Sequence, residues 1–340
     1  NSSTPPVVSQ PGMQVLADSL PQLSDTSAQS ELAQYMLDAI GDSVVAFEDT
    51  VIRTRKLLAD RAEDEEDWSE AANYLRGIPL DGGHVDDPKF KAEVWVKIAQ
   101  YYLEDEDNGR AEEFINRVST VISNITDVAI VVTYKACFAR ILDANRKYVQ
   151  AANKYYELST LVNEDEHMIT LNAAILCAIL AAAGPKRSRV LGTLYKDDRC
   201  GKSELFTILE KTFFERILRP HEVHAMDDLL QSHHKATLSD GTSVLDRAIT
   251  EHNLLSASKI YNNISFDQLG SLLGIKSVNA ESVASRMIME ARMSGVIDQV
   301  HNVITFENEE IISSWDRQIE NVCVEVSEIA DEITAKYKIQ

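Results

Sequence analysis

Three helix starts recur at one fixed spacing, and that spacing limits what this chain can fold into. Trp68-Ser69-Glu70-Ala71-Ala72-Asn73-Tyr74-Leu75, Asn108-Gly109-Arg110-Ala111-Glu112-Glu113-Phe114-Ile115 and Tyr148-Val149-Gln150-Ala151-Ala152-Asn153-Lys154-Tyr155 align on Ala71, Ala111 and Ala151, which lie 40 residues apart each time. Each alanine falls early in a helical pattern, about three residues before an aromatic or large apolar side chain. A small residue there lets a paired helix approach closely, and the larger side chain fills the groove beyond it. Partner helices are expected between these starts, around 90–103 and 128–142. From about residue 30 to 255 the apolar spacing is helical throughout, and the whole chain carries only 13 Gly.

A period of this size is that of stacked helix pairs of the tetratricopeptide or HEAT type, in which no pair buries its apolar face alone. The expected fold is mostly α: a right-handed superhelix of such pairs, then a small domain with a hairpin or three-stranded sheet, then one long helix. The expected segments are 1–27 (low-complexity and partly disordered), 28–160 (helical repeats), 161–264 (further helices), 265–307 (the small domain) and 308–340 (the terminal helix). The opening carries Pro5, Pro6, Pro11 and Pro21 among Ser and Thr, with Val15, Leu16, Leu20 and Leu23 as a remnant of helical spacing. The chain starts at Asn1 and not Met, which reads as a fragment of a longer protein.

The small domain reads as a winged helix. Ser265-Phe266-Asp267-Gln268 is a capping box before Leu269, Leu272 and Leu273, and Gly274 closes that helix. A second helix is expected over 279–293, with Val283, Met287, Ile288 and Ala291 at helical spacing and Gly295 as its C-terminal cap. Residues 296–300 and 303–306 then alternate as strands around His301-Asn302. Glu281 and Glu290 balance Arg286 and Arg292 on the second helix, and the hairpin adds Asp298 with no Lys or Arg. A groove-reading module needs a basic face and wing. The hairpin instead suits strand addition to a protein neighbour, with Val300, Asn302, Val303, Ile304 and Phe306 as the expected docking residues.

The terminal helix has its own signature. Ile312, Trp315, Ile319, Val322, Val326, Ile329 and Ile333 alternate at intervals of three and four, an unbroken a/d seam flanked by Glu320, Glu325, Glu328 and Asp331. Such a helix can pack back on its own winged helix, but a narrow two-in-seven stripe favours a bundle with other chains.

Charge and cysteine usage narrow the class. Fifty-four acidic against 33 basic residues give a formal charge of -21, which opposes nucleic-acid binding as the main role, since phosphate affinity comes from Lys and Arg. The acidic runs at 63–67 and 104–107 read as solvated loops. Cys137, Cys177, Cys200 and Cys323 form no CxxC pair and suit free thiols in a reducing compartment. The longest apolar stretch, 173–183, is too short to span a bilayer, so no membrane partner is expected.

No catalytic signature stands out. His221-Glu222-Val223-His224, near Asp227, Asp228, His233 and His234, is one residue short of the zincin spacing, which needs His at i and i+4 with a Glu base between. Asp240-Gly241-Thr242-Ser243 reads as a turn leading into a helix N-cap. No phosphate-binding glycine loop and no nucleophile elbow occur, and no cofactor or metal is expected.

Helical repeats, a neutral winged helix and a seam helix together resemble the PCI-domain family, scaffold subunits of the proteasome lid, the COP9 signalosome and a translation initiation factor. His234-Lys235-Ala236-Thr237, Leu245-Asp246-Arg247-Ala248, Glu251-His252-Asn253-Leu254-Leu255-Ser256-Ala257-Ser258-Lys259 and Tyr261-Asn262-Asn263-Ile264 are similar to the family of fourth signalosome subunits. So are Glu65-Glu66-Asp67-Trp68, Gly77-Ile78-Pro79-Leu80, Tyr102-Leu103-Glu104-Asp105 and Leu194-Tyr195-Lys196-Asp197-Asp198-Arg199-Cys200. The related proteasome-lid subunits share Glu-His-Asn but not the continuation.

The resemblance makes 161–307 the PCI domain and implies a non-catalytic scaffold. Its expected partners are the other signalosome subunits of PCI and MPN type, joined through winged helices and a helix bundle. The expected substrate is a cullin–RING ligase, reached through helices of the 68–161 region, from which a separate metalloprotease subunit removes Nedd8. The implied localisation is nucleus and cytoplasm. A winged-helix nucleic-acid binder and a proteasome-lid subunit are the alternatives.

Overall fold

The computed structural model describes residues 6–22, 26–41, 44–80, 87–227, 229–236, 241–307 and 311–337. Within these, the side chains of 6–9, 22, 44–45, 164–165, 224–225, 227, 232, 311–314, 316–317 and 331–337 lie outside the description. Sixteen α-helices and one three-stranded sheet fall among the described residues. They divide into two compact units, Asn1–Ala181 with Val190–Phe206, and Ala182–Arg189 with Thr207–Gln340.

The first unit contains α1 (Pro6–Ser19), α2 (Thr26–Ile40), α3 (Glu48–Asp64), α4 (Trp68–Arg76), α5 (Pro88–Glu104), α6 (Asn108–Val121), α7 (Val128–Ala144), α8 (Tyr148–Ser159) and α9 (Glu164–Leu180). Helix α1 covers most of the Pro- and Ser-rich opening, with Pro11 inside it; it buries Leu20 just beyond its end but leaves Val15 and Leu16 exposed. Leu23 lies outside the described residues.

The repeat is stricter than the alanines alone indicate. Helices α3, α5 and α7 each run 17 residues, and α4, α6 and α8 follow each of them after the same interval. Between the helices of each pair, Glu66, Glu106 and Arg146 hold left-handed backbone with φ of 60°, 60° and 59°. The next amide in each turn reaches back to close the first helix: Asp67 N to Ala62 O, Asp107 N to Tyr102 O and Lys147 N to Leu142 O, all 2.9 Å. Asp67 and Asp107 then accept from the amides of Glu70 and Arg110 and so cap α4 and α6. The acidic runs are thus the turns of the first two pairs, and part of their acid does capping. In the third pair the cap position is Lys147, which makes no side-chain cap.

Ala71, Ala111 and Ala151 are fully buried, and a second ladder, Ala59, Ala99 and Ala139, is buried equally on the partner helices. Two facing small residues per pair let the axes close, and Leu75, Ile115 and Tyr155 fill the space beside them. Lys97 to Asp60 (2.7 Å), Arg140 to Glu104 (2.7 Å) and Lys147 to Glu112 (3.6 Å) bridge one pair to the next along the surface.

The second unit contains α12 (Pro220–Asp227), α13 (Val244–Ile260), α14 (Phe266–Leu273), α15 (Ser277–Met289) and α16 (Ile311–Tyr337), while α10 (Pro185–Tyr195) and α11 (Phe206–Phe213) have residues in both units. Its sheet orders β1 (Asn263–Ser265), β3 (Val303–Phe306) and β2 (Gly295–Asp298) antiparallel, with Ile304 opposite both Ile264 and Ile297. Leu254, Phe266, Leu269, Met287, Ile304 and Phe306 form its core. Ser265 caps α14 by accepting from the Gln268 amide at 3.4 Å, and Gly274 ends that helix at φ 71°.

Two expected boundaries move. The second winged-helix element ends at Met289, not 293, because Ala291 takes φ 54° and reverses the chain. Gly295 is therefore no helix cap; it pairs with Phe306 in β2, where a Cβ would lie 2.8 Å from the Thr305 carbonyl oxygen. The first hairpin strand stops at Asp298 because that carboxylate accepts from the Val300 and His301 amides, at 2.9 and 3.2 Å, and folds the chain into the turn. Ser243, at the end of the expected Asp240–Ser243 turn, accepts from the Asp246 amide and caps α13, while Asp240 lies outside the described residues.

Candidate interaction surfaces

The winged helix presents an edge, but not the one the alternation suggests. Strand β3 is flanked by β1 and β2, so its backbone groups are engaged on both sides. Ile304 and Phe306 are core residues and Val303 is half-buried; of the expected docking residues only Val300, 87% exposed, and Asn302, at φ 52°, lie on the hairpin surface. The free edges belong to β1 and β2. Beside β2 an open groove is lined by Glu281, Ser285, Val296, Ile297, Asp298 and Gln299; Val296 is exposed there, and Val278 and Met289 are exposed on α15. These three residues lack a signal in the alternation, since each is an apolar residue on the solvent side.

The basic residues of α15 and the turn after it face the other way. Glu251 of α13 is 3% exposed and collects Arg247 Nε at 3.0 Å, Arg286 Nη2 at 3.4 Å and Arg292 Nη1 at 2.5 Å. Burial pushes its carboxyl up, but the hydrogen bonds from Arg292 and Arg247 outweigh this and hold it below the ordinary Glu range. Burial likewise draws the Arg187 guanidinium down to about 10, with Glu251 opposing.

The next two residues extend the clamp. His252 Nε2 lies 2.9 Å from the Arg216 carbonyl oxygen, which can only accept, so the proton sits on Nε2. Burial first, then the Arg187 charge, pull the His252 imidazole down to about 4. Asn253 accepts from the Leu218 amide at 2.8 Å and donates to the Leu218 carbonyl at 3.0 Å. Glu251-His252-Asn253 therefore joins α13 to α15, to the turn before β2 and to the segment before α12.

Helix α16 is the other surface. Trp315, Ile319, Val322, Val326 and Ile329 are 54–63% exposed, and every described side chain on this helix is exposed. The side chains of Ile312 and Ile333 lie outside the described residues.

Candidates for chemistry are engaged elsewhere. Glu222 is hydrogen-bonded by Lys211 and, at 3.1 Å, by the Arg219 amide; the side chains of His224 and Asp227, and Asp228, lie outside the described residues. All four cysteines are free. Burial raises the Cys137 thiol to about 12 and that of Cys200 to about 11, and lifts Cys177 as well, the reverse of an activated nucleophile. Among the described residues no helix is long and apolar enough to cross a membrane.

Comparison with known proteins fits this anatomy. A family model described as PSMD12/CSN4, N-terminal, matches residues 8–166, and one described as PCI domain matches residues 218–308. COP9 signalosome complex subunit 4 of Dictyostelium discoideum is 45% identical over 337 residues, 98% of this chain and 86% of that protein. The subunit 4 of Drosophila melanogaster is 46% identical over 306 residues (89% and 75%), and that of Arabidopsis thaliana 44% over 347 residues (99% and 87%). The helix-pair array, the winged helix with its inward-turned arginines and the exposed seam lie in a chain that belongs to the COP9 signalosome subunit 4 family of PCI-domain proteins.

Proposed function

We propose that the chain is a non-catalytic scaffold and substrate-sensing subunit of the COP9 signalosome, acting in nucleus and cytoplasm where the assembly removes Nedd8 from cullin–RING ligases. The observation that carries the assembly role is α16. Five seam side chains, each at least half exposed on a regular helix, leave a narrow apolar stripe in water, and burying one such side chain stabilises by about 1.5–3 kcal/mol. A helix bundle formed with other PCI and MPN subunits covers that stripe.

The β2 edge beside α15 provides the second contact, by strand addition from a neighbouring winged helix. Nucleic acid is the weaker partner for this module because Arg286 and Arg292 are drawn to Glu251. The engaged Glu222 and the raised thiols support a non-catalytic role, with the isopeptidase in another subunit. Substrate contact falls to the helix pairs of α4–α8.

The test is assembly. Ile319→Asp with Val326→Asp is expected to release the tagged chain from the purified complex while its helical circular dichroism is retained. Full retention in the complex rules out the bundle role, and co-purification of proteasome-lid subunits alone places the chain in the other assembly.

A further inference from the structure

The repeat supplies its own control, because three helix pairs of one register can be compared position by position. At the position of Tyr102 the other two pairs carry Ala62 and Leu142, both apolar. Tyr102 is 1% exposed, and its hydroxyl has no hydrogen-bond partner. A buried hydroxyl without a partner is a net cost to the fold that Phe would avoid.

Tyr102 also lines a groove of about 450 Å³ in the first unit, together with Arg76, Arg110, Glu113, Phe114 and Arg117. Arg110 lies 5.6 Å from the centre of the Tyr102 ring and Arg117 5.1 Å from that of Phe114. The register again isolates this pair. Where it has Arg110, the others have Glu70 and Gln150; where it has Arg117, they have Gly77 and Glu157. Three arginines thus gather at one groove of a chain whose formal charge is -21. Asp107 and Glu113 pair with Arg110 and Arg117 at 3.2 and 2.6 Å, which holds the guanidinium planes over the rings and leaves a net positive rim. Beneath the rim Ile78, Leu80 and Ile98 are already buried, and the half-buried Trp95 is the apolar side chain left open to the groove.

We propose that this groove docks an acidic peptide segment of a partner protein, its carboxylate taken by the arginines and the Tyr102 hydroxyl and an apolar neighbour seated against Trp95. A bare anion would meet the arginines but leave most of the 450 Å³ groove and the Trp95 face open, so the occupant is peptide. The site is independent of the α16 bundle, and its failure leaves the assembly test above untouched.

The test uses the full chain and phage-displayed random peptides, panned against wild type and against Arg110→Ala/Arg117→Ala, with Arg76→Glu as an exposed variant that does not disturb the stacked rings. Wild type is expected to enrich peptides with Asp or Glu beside large apolar residues. A synthetic copy of one should bind at least about tenfold more weakly to either variant, the scale of one lost charge-assisted hydrogen bond. Tyr102→Phe is expected to raise the melting temperature of the free chain and weaken the peptide. Enrichment without acidic bias, binding that survives both arginine variants, displacement by inorganic phosphate at similar concentration, or a lower melting temperature for Tyr102→Phe would each overturn the proposal.

Discussion

Glu251→Ala tests whether one carboxylate holds the winged helix to its helical support. The three guanidiniums around it differ in burial: the side chain of Arg292 is 13% exposed, those of Arg286 and Arg247 27% and 35%. Removing one partner of a buried ion pair costs about 3–5 kcal/mol, whereas exposed pairs contribute about 0–1. Arg247 and Arg286 can turn toward water, and Arg292 keeps Glu290 at 2.6 Å, so the lower end applies, about 3 kcal/mol.

If that loss appears as local opening, amides of β2 and β3 should exchange roughly 150-fold faster, at about 1.4 kcal/mol per factor of ten. Native-state hydrogen exchange reads this directly, with amides of α5 as an internal reference that should not change. Glu251→Gln, which keeps an acceptor but loses the charge, should fall between. Because the folded carboxyl sits below its unfolded value of 4.5, its contribution is complete above that pH and fades as pH falls below it. Sheet amides within about threefold of wild type in Glu251→Ala would refute the clamp, since a carboxylate so cheaply removed cannot be holding the domain.

Two further outcomes follow from single sites. His252 has a folded value near 4 against an ordinary 6.5, so the unfolded chain binds the extra proton between them and stability falls as pH falls across that window; the unfolding free energy of the second unit from urea titration should drop by roughly 2 kcal/mol from pH 7 to pH 5, and His252→Gln should flatten that slope. Ala111→Leu adds three carbons to a fully buried contact of the ladder and should cost about 1–3 kcal/mol in thermal or urea unfolding of the first unit, while Asn116→Leu on an exposed face of the same helix should change stability by less than about 0.5.

Much of the helical architecture was legible because it is local. A fixed period, a capping box at Ser265 and a glycine at 274 each act within a few residues, and each appears where the spacing puts it. The second alanine ladder was equally present in the sequence, but Ala59, Ala99 and Ala139 sit mid-helix without the turn that made the first visible. What was not legible is long-range. Glu251 meets Arg286 and Arg292 across 35 and 41 residues, a pairing that charge counting reduces to zero. Strand β1 is three residues long, too short for an alternation to register, so its pairing with β3, which makes β3 the central strand, was not visible. Ile304 and Phe306 belong to the core because they share the inward face of β3, and the hairpin's free edge is that of β2.

On the proposed reading, the winged helix is a phosphate-reading shape turned toward protein with few changes. Such a module reads nucleic acid when the second helix points its arginines outward. Here Glu251, one residue on a neighbouring helix, draws Arg286 and Arg292 inward, and the helix is left with Val278 and Met289 exposed and Val296 on the adjoining strand. The Arg292 bond also ties down the turn that precedes β2. The interaction that removes positive charge from the surface therefore also holds the edge strand in place. A docking edge needs both properties, because strand addition requires a fixed backbone and a surface free of uncompensated charge.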